Sequence, residues 1–224
     1  MDADIKETPW DKKAFGINTY EIVNPTEEVL KKTLNMDGHF TVKIDPLADS
    51  EPLYRYGFYY CGTLIEPYCR KEHFRDFRDD RVTLKREVAD FAELKNLSDG
   101  SFVHGRFHRD FSLDRELADR RYANWLRQMY EEDNVFSLYY NGELAGFFGF
   151  SGPQILLYTH KPQYRGKGMA KYFWSAACRE LFSYGHDELI SSISAANMPI
   201  LNLSVSLGFK FRRPRDVYHK LNRV

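Results

Sequence analysis

The segment Pro162-Gln163-Tyr164-Arg165-Gly166-Lys167-Gly168-Met169-Ala170 decides which fold this chain is expected to adopt. It follows Gln154 to His160, which has the composition of a strand, and it precedes a helical pattern from about Met169 to Tyr184. Gly166 and Gly168 have no side chains, so the backbone can come close to a bulky anion. The first turn of a helix offers unpaired N–H groups and the positive end of the helix dipole. The segment therefore predicts a phosphate-binding loop, without indicating which phosphate is bound.

Two common nucleotide-binding motifs are absent from this loop. A dinucleotide-binding fingerprint needs the pattern GxGxxG, whereas Gly166-Lys167-Gly168 is followed by Met169, Ala170 and Lys171. A Walker loop needs GxxxxGK followed by Ser or Thr, and the chain lacks that pattern as well. A lone GxG is more simply explained as a turn that caps a helix. The elements around the loop are therefore needed to distinguish this turn from a phosphate-binding loop.

The elements around the loop form a regular series. Val135 to Tyr140 and Glu143 to Phe150 flank Asn141-Gly142, the residue pair that a tight type I′ hairpin turn favours. The other predicted elements are helices at Arg86 to Leu97, Asp114 to Tyr130 and Pro199 to Leu207, and strands at Leu189 to Ser194 and Phe209 to Leu221. The charged stretch from Arg70 to Lys85 is predicted to be a solvated connector, because its acidic and basic residues alternate.

The loop and the order of these elements resemble the Gcn5-related N-acetyltransferases, the GNAT superfamily. Their acyl-CoA motif is Q/R-x-x-G-x-G/A after the fourth strand of the fold, and Gln163 to Gly168 fills every defined place. The resemblance covers about Arg86 to Leu221. It implies an α/β GNAT fold, with a mixed, mostly antiparallel central sheet flanked by helices.

The resemblance also implies which residues bind the acyl donor, acetyl-CoA. Backbone N–H groups of Arg165, Gly166, Lys167, Gly168, Met169 and Ala170 would hold the pyrophosphate. Thr159 and His160, at the end of the preceding strand, would offer backbone groups to the pantetheine and the thioester. Asn197 matches an asparagine that commonly binds the pantetheine arm. The implied reaction is direct transfer of the acetyl group to a primary amine.

The amino-terminal part of the chain carries a narrower resemblance. Pro9-Trp10-Asp11, Phe15-Gly16-Ile17-Asn18, Gly105-Arg106-Phe107-His108 and Arg121-Tyr122-Ala123-Asn124-Trp125 are similar to segments of the TDP-fucosamine acetyltransferases. That resemblance implies an amino-terminal α/β subdomain, residues 1–82, before a catalytic domain, residues 83–224. It also implies that the acceptor is the amino group of a nucleotide-linked amino sugar. Arg106 and Arg109 could hold the diphosphate of such an acceptor, and Phe107 could stack on its base.

The chain departs from the family pattern at the catalytic residues. Many relatives carry a tyrosine seven residues after the motif asparagine, which can protonate the leaving thiolate, but here that position is Ser204. Tyr218 is the nearest other phenol downstream. Where some relatives have a glutamate base, this chain has Gln154. His104, His108 and His160 are therefore the candidate bases, and His108 is preferred because its segment faces the acceptor in the family.

Composition limits the other classes of function. The 32 basic and 32 acidic residues cancel, which gives no reason to expect nucleic-acid binding. The three cysteines form no CxxC pair, and the seven histidines are scattered, so no metal site is expected. The first residues are polar, and no apolar run has the length of a membrane span. We expect a cytoplasmic enzyme that does not bind membranes.

Several alternatives stay open from the sequence. The acceptor could instead be a peptide terminus, an amino acid or another small amine. The absence of the tyrosine at position 204 also fits a CoA-binding module with weak or lost catalysis. The apolar segment Phe147 to Phe150 is a candidate homodimer interface, although core packing explains it equally well. Finally, Tyr56-Gly57-Phe58 and Leu207-Gly208-Phe209 each predict a helix end, a glycine and a strand, which hints at a duplicated unit.

Overall fold

The computed structural model describes residues 3–86 and 89–223. The strands are β1 (Ile5–Glu7), β2 (Thr19–Ile22), β3 (Gly38–Ile44), β4 (Tyr59–Arg70), β5 (Val82–Lys85), β6 (Val135–Tyr140), β7 (Glu143–Ser151), β8 (Gln154–His160), β9 (Glu188–Ser191), β10 (Ile193–Ser194) and β11 (Lys210–Asn222). The helices are α1 (Pro9–Phe15), α2 (Glu27–Lys32), α3 (Glu51–Arg55), α4 (Phe91–Ser98), α5 (Arg115–Glu131), α6 (Ala170–Ser183) and α7 (Met198–Ser206).

All of these strands belong to one mixed sheet. Its order is β1-β2-β3-β11-β4-β9-β8-β7-β6-β5, and the short β10 pairs with β4 beside this path. Among the described strands, only the pairs β2–β3 and β8–β9 are parallel. The sheet is thus mostly antiparallel with helices packed on it, as expected from the sequence.

The strand order is symmetric about the β11–β4 pair. From β11 outward, the neighbours are β3, β2 and β1, joined by antiparallel, parallel and antiparallel pairings. From β4 outward, the neighbours are β9, β8 and β7, joined in the same sequence of pairings. Because β4 comes from the first half of the chain and β11 from the second, each half places its last strand beside the strands of the other half.

The two exchanged strands begin in the same way. Gly57 and Gly208 follow α3 and α7 with φ of +82° and +91°. The amide of Phe58 then donates to Leu53 O at 2.9 Å, and the amide of Phe209 donates to Ser204 O at 3.0 Å. This is the hydrogen-bond pattern of a Schellman helix end, which needs a glycine in the left-handed region. The repeated helix–Gly–Phe–strand sequence therefore corresponds to a repeated local structure.

Most elements of the carboxy-terminal part agree with the sequence expectation, including the hairpin turn, where Asn141 and Gly142 both have positive φ. The charged connector differs. Phe74 and Phe77 pack against the main core cluster, and Val82–Lys85 is a strand. Helix α4 begins at Phe91 rather than at Arg86, because the Asp90 side chain accepts the Ala92 amide at 2.7 Å. Positions 87 and 88 of the predicted helix lie outside the described residues.

Phe147 and Phe148 are fully buried, and Phe150 is 6% exposed. They belong to two core clusters, one under α6 and one under α4 and α5. The segment that was a candidate homodimer interface is therefore part of the core of the protein.

Candidate active site

The loop of residues 161–169 joins the end of β8 to the start of α6. Pro162–Tyr164 form a short 3-10 turn, and Gly166 and Gly168 both have a φ of +70°, which favours glycine. A Cβ built on either glycine would meet no atom within 4 Å. The backbone conformation thus accounts for both glycines, and the surface above them is open.

The loop leaves a row of backbone donors unused. The amide of Arg165 donates to Pro162 O at 3.0 Å, but the amides of residues 166–171 have no backbone acceptor in the described part of the chain. Helix α6 has no side-chain cap at Met169 and no acidic residue in its first turn. Its 14 residues add the positive end of a helix dipole. Unpaired amides and a positive helix end together form a cradle for an anion.

A cleft opens beside this loop because two parallel strands separate. β8 pairs with β9 only at Gln154 and Ile155, and β9 ends at Ser191. The Ser191 hydroxyl donates to Ile155 O at 2.8 Å at the point of separation. Beyond it the chain continues as β10, which pairs with β4 instead. The second half of β8 therefore forms one wall of the cleft, and β10 with β4 forms the other.

Arg165 lies across the end of β8. Its guanidinium donates to Thr159 Oγ1 at 3.5 Å, to His160 O at 3.4 Å and to Ser101 Oγ at 3.1 Å. Burial, together with the nearby charge of Arg165, lowers the pKa of His160 to about 4. The imidazole of His160 is consequently neutral at physiological pH, so it can accept a proton but is a weak base.

Asn197 lies on the opposite wall of the cleft. It is the N-cap residue of α7, and its side chain accepts the Ile200 amide at 3.4 Å. Ser204, two turns further along α7, is fully buried, and its hydroxyl donates to Ile200 O at 2.8 Å. The hydroxyl proton of Ser204, which stands where many relatives carry a tyrosine that can protonate the thiolate, is thus engaged by a helix carbonyl.

Tyr218 lies on β11, in the core cluster of the amino-terminal half. Its ring contacts Tyr54 and Tyr60 at 5.6 and 5.7 Å between centroids. Three strand spacings, about 14 Å, separate β11 from β8. Tyr218 is therefore not brought together with the glycine loop.

His108 is held by a carboxylate and an aromatic ring. Its Nε2 donates to Asp119 Oδ1 at 3.0 Å, and its ring stacks on Tyr122 at 5.6 Å. Its Nδ1 is shielded from solvent and has no partner among the described residues. A histidine with one nitrogen fixed by a carboxylate and the other left free has the form of a general base. Tyr122 also stacks on Phe102, the neighbour of Ser101, so this layer separates His108 from Arg165.

The three predicted acceptor residues have different environments. Arg106 Nε is shielded and unpaired, and burial together with the charge of Arg121 lowers the pKa of its guanidinium. Phe107 is 2% exposed and packs against Phe15 in the core, so its ring is not open to a ligand. Arg109 is exposed, and its guanidinium has no ionic or hydrogen-bond partner within residues 3–86 and 89–223.

A buried cluster joins four parts of the chain. His39 Nε2 and His219 Nδ1 both donate to Asp110 Oδ2 at 2.8 Å. The other oxygen, Oδ1, accepts from Tyr59 at 2.7 Å, and from the backbone and side chain of Ser112 at 2.9 and 2.6 Å. We call these five residues the Asp110 clamp. It ties the segment between α4 and α5 to β3, β4 and β11.

The clamp has a defined charge state. Burial alone would raise the pKa of Asp110, but the hydrogen bonds from His219 and His39 hold it well below its usual range. Burial lowers the pKa of His219 to about 3, although Asp110 opposes this effect. At neutral pH the clamp therefore contains an ionised carboxylate and a neutral His219.

Potential ligand atoms, one each from His39, Asp110 and His219, lie within 4.8 Å of one another, as metal ligands would. Both carboxylate oxygens already accept the donors named above, so we interpret the cluster as hydrogen-bonded. The sequence expectation of no metal site stays a prediction. Sequence spacing gave no sign of this cluster, because its members are 71 and 109 residues apart.

Comparison with known proteins gives a match of structure only. No family model matches the chain, and no curated protein matches its sequence. A conserved protein of unknown function from Staphylococcus epidermidis has a TM-score of 0.66 at 14% identity, with 100% of this chain and 93% of that one covered. A GCN5-related N-acetyltransferase from Sphaerobacter thermophilus has a TM-score of 0.61 at 12% identity, with 83% of this chain covered. This chain spans only 60% of the length of that protein.

A tandem GNAT protein from the clavulanic acid biosynthesis pathway is also similar, with a TM-score of 0.53 at 10% identity. The match covers 91% of this chain and 75% of that one. The chain has the GNAT fold. At these identities the likeness does not extend to a substrate.

None of the helices among the described residues combines the length and the apolar character that a membrane span needs.

Proposed function

We propose that the protein is an acetyl-CoA-dependent N-acetyltransferase. The observation that carries this proposal is the row of unpaired amides at residues 166–171, at the positive end of α6 and beside the separated strands β8 and β9. Glycine at positions 166 and 168 lets a pyrophosphate approach these amides closely. Backbone groups of Thr159 and His160, with Asn197 across the cleft, would hold the pantetheine arm.

Acetyl-CoA supplies an activated acetyl group as its thioester. The acceptor nitrogen attacks the carbonyl carbon, the C–S bond breaks, the amine loses a proton and the sulfur gains one. His108, fixed through Nε2 by Asp119, is the proposed base for the amine proton; its Nδ1 is shielded from solvent and has to be uncovered before it can take that proton. Ser204 and Tyr218 are the sequence candidates for the source of the proton on sulfur. Because Ser204 is bonded to Ile200 O and Tyr218 lies in the other half, we favour solvent as its source.

The acceptor is proposed to be the amino group of a nucleotide-linked amino sugar. Arg109 supports this proposal, because it is exposed and its guanidinium has no hydrogen bond or ion pair in the described part of the chain. Arg106 supports it less, because its Nε is shielded from solvent and burial lowers the pKa of its guanidinium. Phe107 supports it less, because its ring is buried. Three further features remain proposals. They are the division into an amino-terminal subdomain and a catalytic domain, the cytoplasmic location, and the formation of a homodimer. Light scattering on the purified protein would test the last of these.

The decisive experiment has two stages. Calorimetry with acetyl-CoA tests the donor site, and we expect micromolar binding; no binding would refute the proposed function. Release of CoA is then followed with TDP- and UDP-linked amino sugars, peptides and free amines. Turnover confined to peptides would exclude the sugar acceptor and leave the transferase assignment intact.

A further inference from the structure

Asp110 has two neighbours whose side chains lie on the surface. Asp110 is 3% exposed, whereas Phe111 is 82% exposed and Arg109 is also exposed. The Phe111 ring lies open to water beside the Arg109 guanidinium, which has no ionic or hydrogen-bond partner in the described part of the chain. Such a pair of side chains suits a ligand that combines an anion with a flat ring.

The Asp110 clamp holds this pair in place. Its carboxylate accepts hydrogen bonds from two strands, through His39 and His219, and from Tyr59 on a third. The backbone on either side of Asp110 is therefore fixed by a buried and fully bonded group. A site that is held in this way before a ligand arrives loses less conformational entropy on binding.

Each side chain of the pair also contacts β4. The Phe111 ring lies 4.3 Å from the Tyr59 ring, measured between centroids. The Arg109 side chain lies 4.0 Å from the position that a Cβ on Gly62 would occupy. Both side chains are therefore positioned over the first residues of β4.

The same part of β4 leads to the candidate active site. Thr63, the residue after Gly62, accepts the Ala195 amide through its carbonyl at 2.8 Å, and Leu64 pairs with Ser194 of β10. One residue advances the backbone by about 3.8 Å, so Arg109 lies on the order of 10 Å from the β10 wall of the cleft. An acceptor could bind Arg109 with one end and present an amine in the cleft with the other.

We infer that Arg109 and Phe111 form the acceptor-recognition site, and that they bind the diphosphate and the base of a nucleoside diphosphate attached to the acceptor amine. Arg109 would contact the phosphates and Phe111 would stack on the base. This inference rests on the proposed function and changes its residue assignment, because Phe111 takes the role that the sequence gave to Phe107.

Binding can be measured without turnover. The probes are TDP, thymidine and inorganic pyrophosphate, titrated by calorimetry into protein saturated with CoA, so that the glycine loop is blocked. We expect TDP to bind at least 10-fold more weakly to Arg109→Ala and roughly 5-fold more weakly to Phe111→Ala. Pyrophosphate binding should depend on Arg109 alone, and thymidine binding on Phe111 alone. The exposed residues Arg115 and Leu47 provide the controls, Arg115→Ala and Leu47→Ala, which should bind TDP as the wild type does.

Turnover separates failure of this inference from failure of the proposed function. A TDP-linked amino sugar is compared with the methyl glycoside of the same sugar, which lacks the diphosphate. We expect at least a 100-fold preference for the nucleotide-linked acceptor in the wild type, reduced about 10-fold through KM in Arg109→Ala. Equal use of both acceptors, or TDP binding that neither substitution changes, would overturn the inference. Absence of acetyl-CoA binding and of all turnover would instead refute the proposed function.

Discussion

The two halves of the sheet share a topology but differ at one connection. In each half an antiparallel strand pair is followed by a parallel pair, and each half ends in a helix, a glycine, a phenylalanine and an exchanged strand. In the first half, β2 passes to α2 without a glycine. In the second half, β8 passes to α6 through Gly166 and Gly168.

The two connections differ in the groups that surround the first turn of the helix. Helix α2 has Thr26 as its cap, bonded to the Val29 amide at 3.4 Å, and it carries Glu27 and Glu28 in its first turn. These groups occupy and neutralise the positive helix end. Helix α6 has neither a cap nor an acid there. In addition, β2 and β3 pair along all of β2, so that no cleft opens between them. The two halves therefore share a topology, but only the second half offers a phosphate site. There the helix start is uncapped and the neighbouring parallel strands separate.

The largest expected effect on stability concerns the Asp110 clamp, which connects strands of the first half to β11. Asp110→Asn removes the charge that His39 and His219 contact and leaves donors facing each other in the core. We expect a loss of about 3–5 kcal/mol in the free energy of unfolding, measured by urea denaturation. Asp99→Asn, at an exposed ion pair with Lys95, is the control and should cost less than about 1 kcal/mol. Equal effects from the two substitutions would mean that the clamp does not stabilise the fold.

The second effect concerns the base. His108→Ala should lower the rate of acetyl transfer about 100-fold, which is the low end for general-base catalysis. The loss should be larger at low than at high pH, because a rising concentration of free amine replaces the base. The pH–rate profile of kcat/KM is the measurement. Asp119→Asn should give a smaller loss with the same pH trend, and an unchanged profile in His108→Ala would remove His108 from the mechanism.

The features that could be predicted from the sequence are those that depend on contacts between residues close together in the chain. The glycine loop, the Asn141-Gly142 turn and the boundaries of α5 and α6 each follow from residues close together in the chain. The Asp110 clamp could not be predicted, because its members meet only when β3 and β11 pair. The charged connector was predicted to be solvated, since its sequence does not reveal that Phe74 and Phe77 turn into the core. Burial of Phe107 and exposure of Phe111 were equally hidden, because both lie in an irregular segment without periodicity.

The third effect compares buried histidines in the two halves. Burial lowers the pKa of His219 to about 3 and that of His160 to about 4, below the usual value of 6.5. The unfolded state then binds more protons, so stability is present above pH 6.5 and is lost as the pH falls toward these values. Between pH 7 and pH 5 we expect His219 to contribute about 2 kcal/mol to the loss and the partly exposed His160 a comparable amount at most, because both pKa values lie below this range. The two histidines differ below about pH 4, where the loss from His160 ends and the loss from His219 continues.

Urea denaturation across this pH range checks the assignment. Extended to pH 3, the measurement should show that His219→Asn flattens the dependence of unfolding free energy on pH below pH 4 more than His160→Gln does. The slope is informative even if His219→Asn lowers stability at every pH. The reverse ranking would show that the acid-sensitive group lies in the donor half.

The fourth effect tests the glycine loop directly. Gly168→Ala places a methyl group where the backbone must approach a phosphate, and it strains a residue at a φ of +70°. We expect acetyl-CoA affinity to fall about 10-fold, which corresponds to about 1.4 kcal/mol. Gly152→Ala carries a similar strain, with a φ of +52° and open space around its Cβ, but it lies in the β7–β8 turn. Comparable loss of affinity in both variants would mean that general destabilisation, not phosphate contact, is responsible.

The smallest effect concerns the other half. Thr26→Ala removes the cap of α2, and because the hydrogen bond is long we expect a loss of only about 0.5 kcal/mol in unfolding free energy. Acetyl-CoA affinity should not change, because α2 is proposed to have no part in donor binding. Calorimetry on this variant beside Gly168→Ala compares the two equivalent helix starts within one protein. A loss of affinity in Thr26→Ala would indicate that the halves are coupled through the β11–β4 pair, and the proposed restriction of donor binding to the second half would then fail.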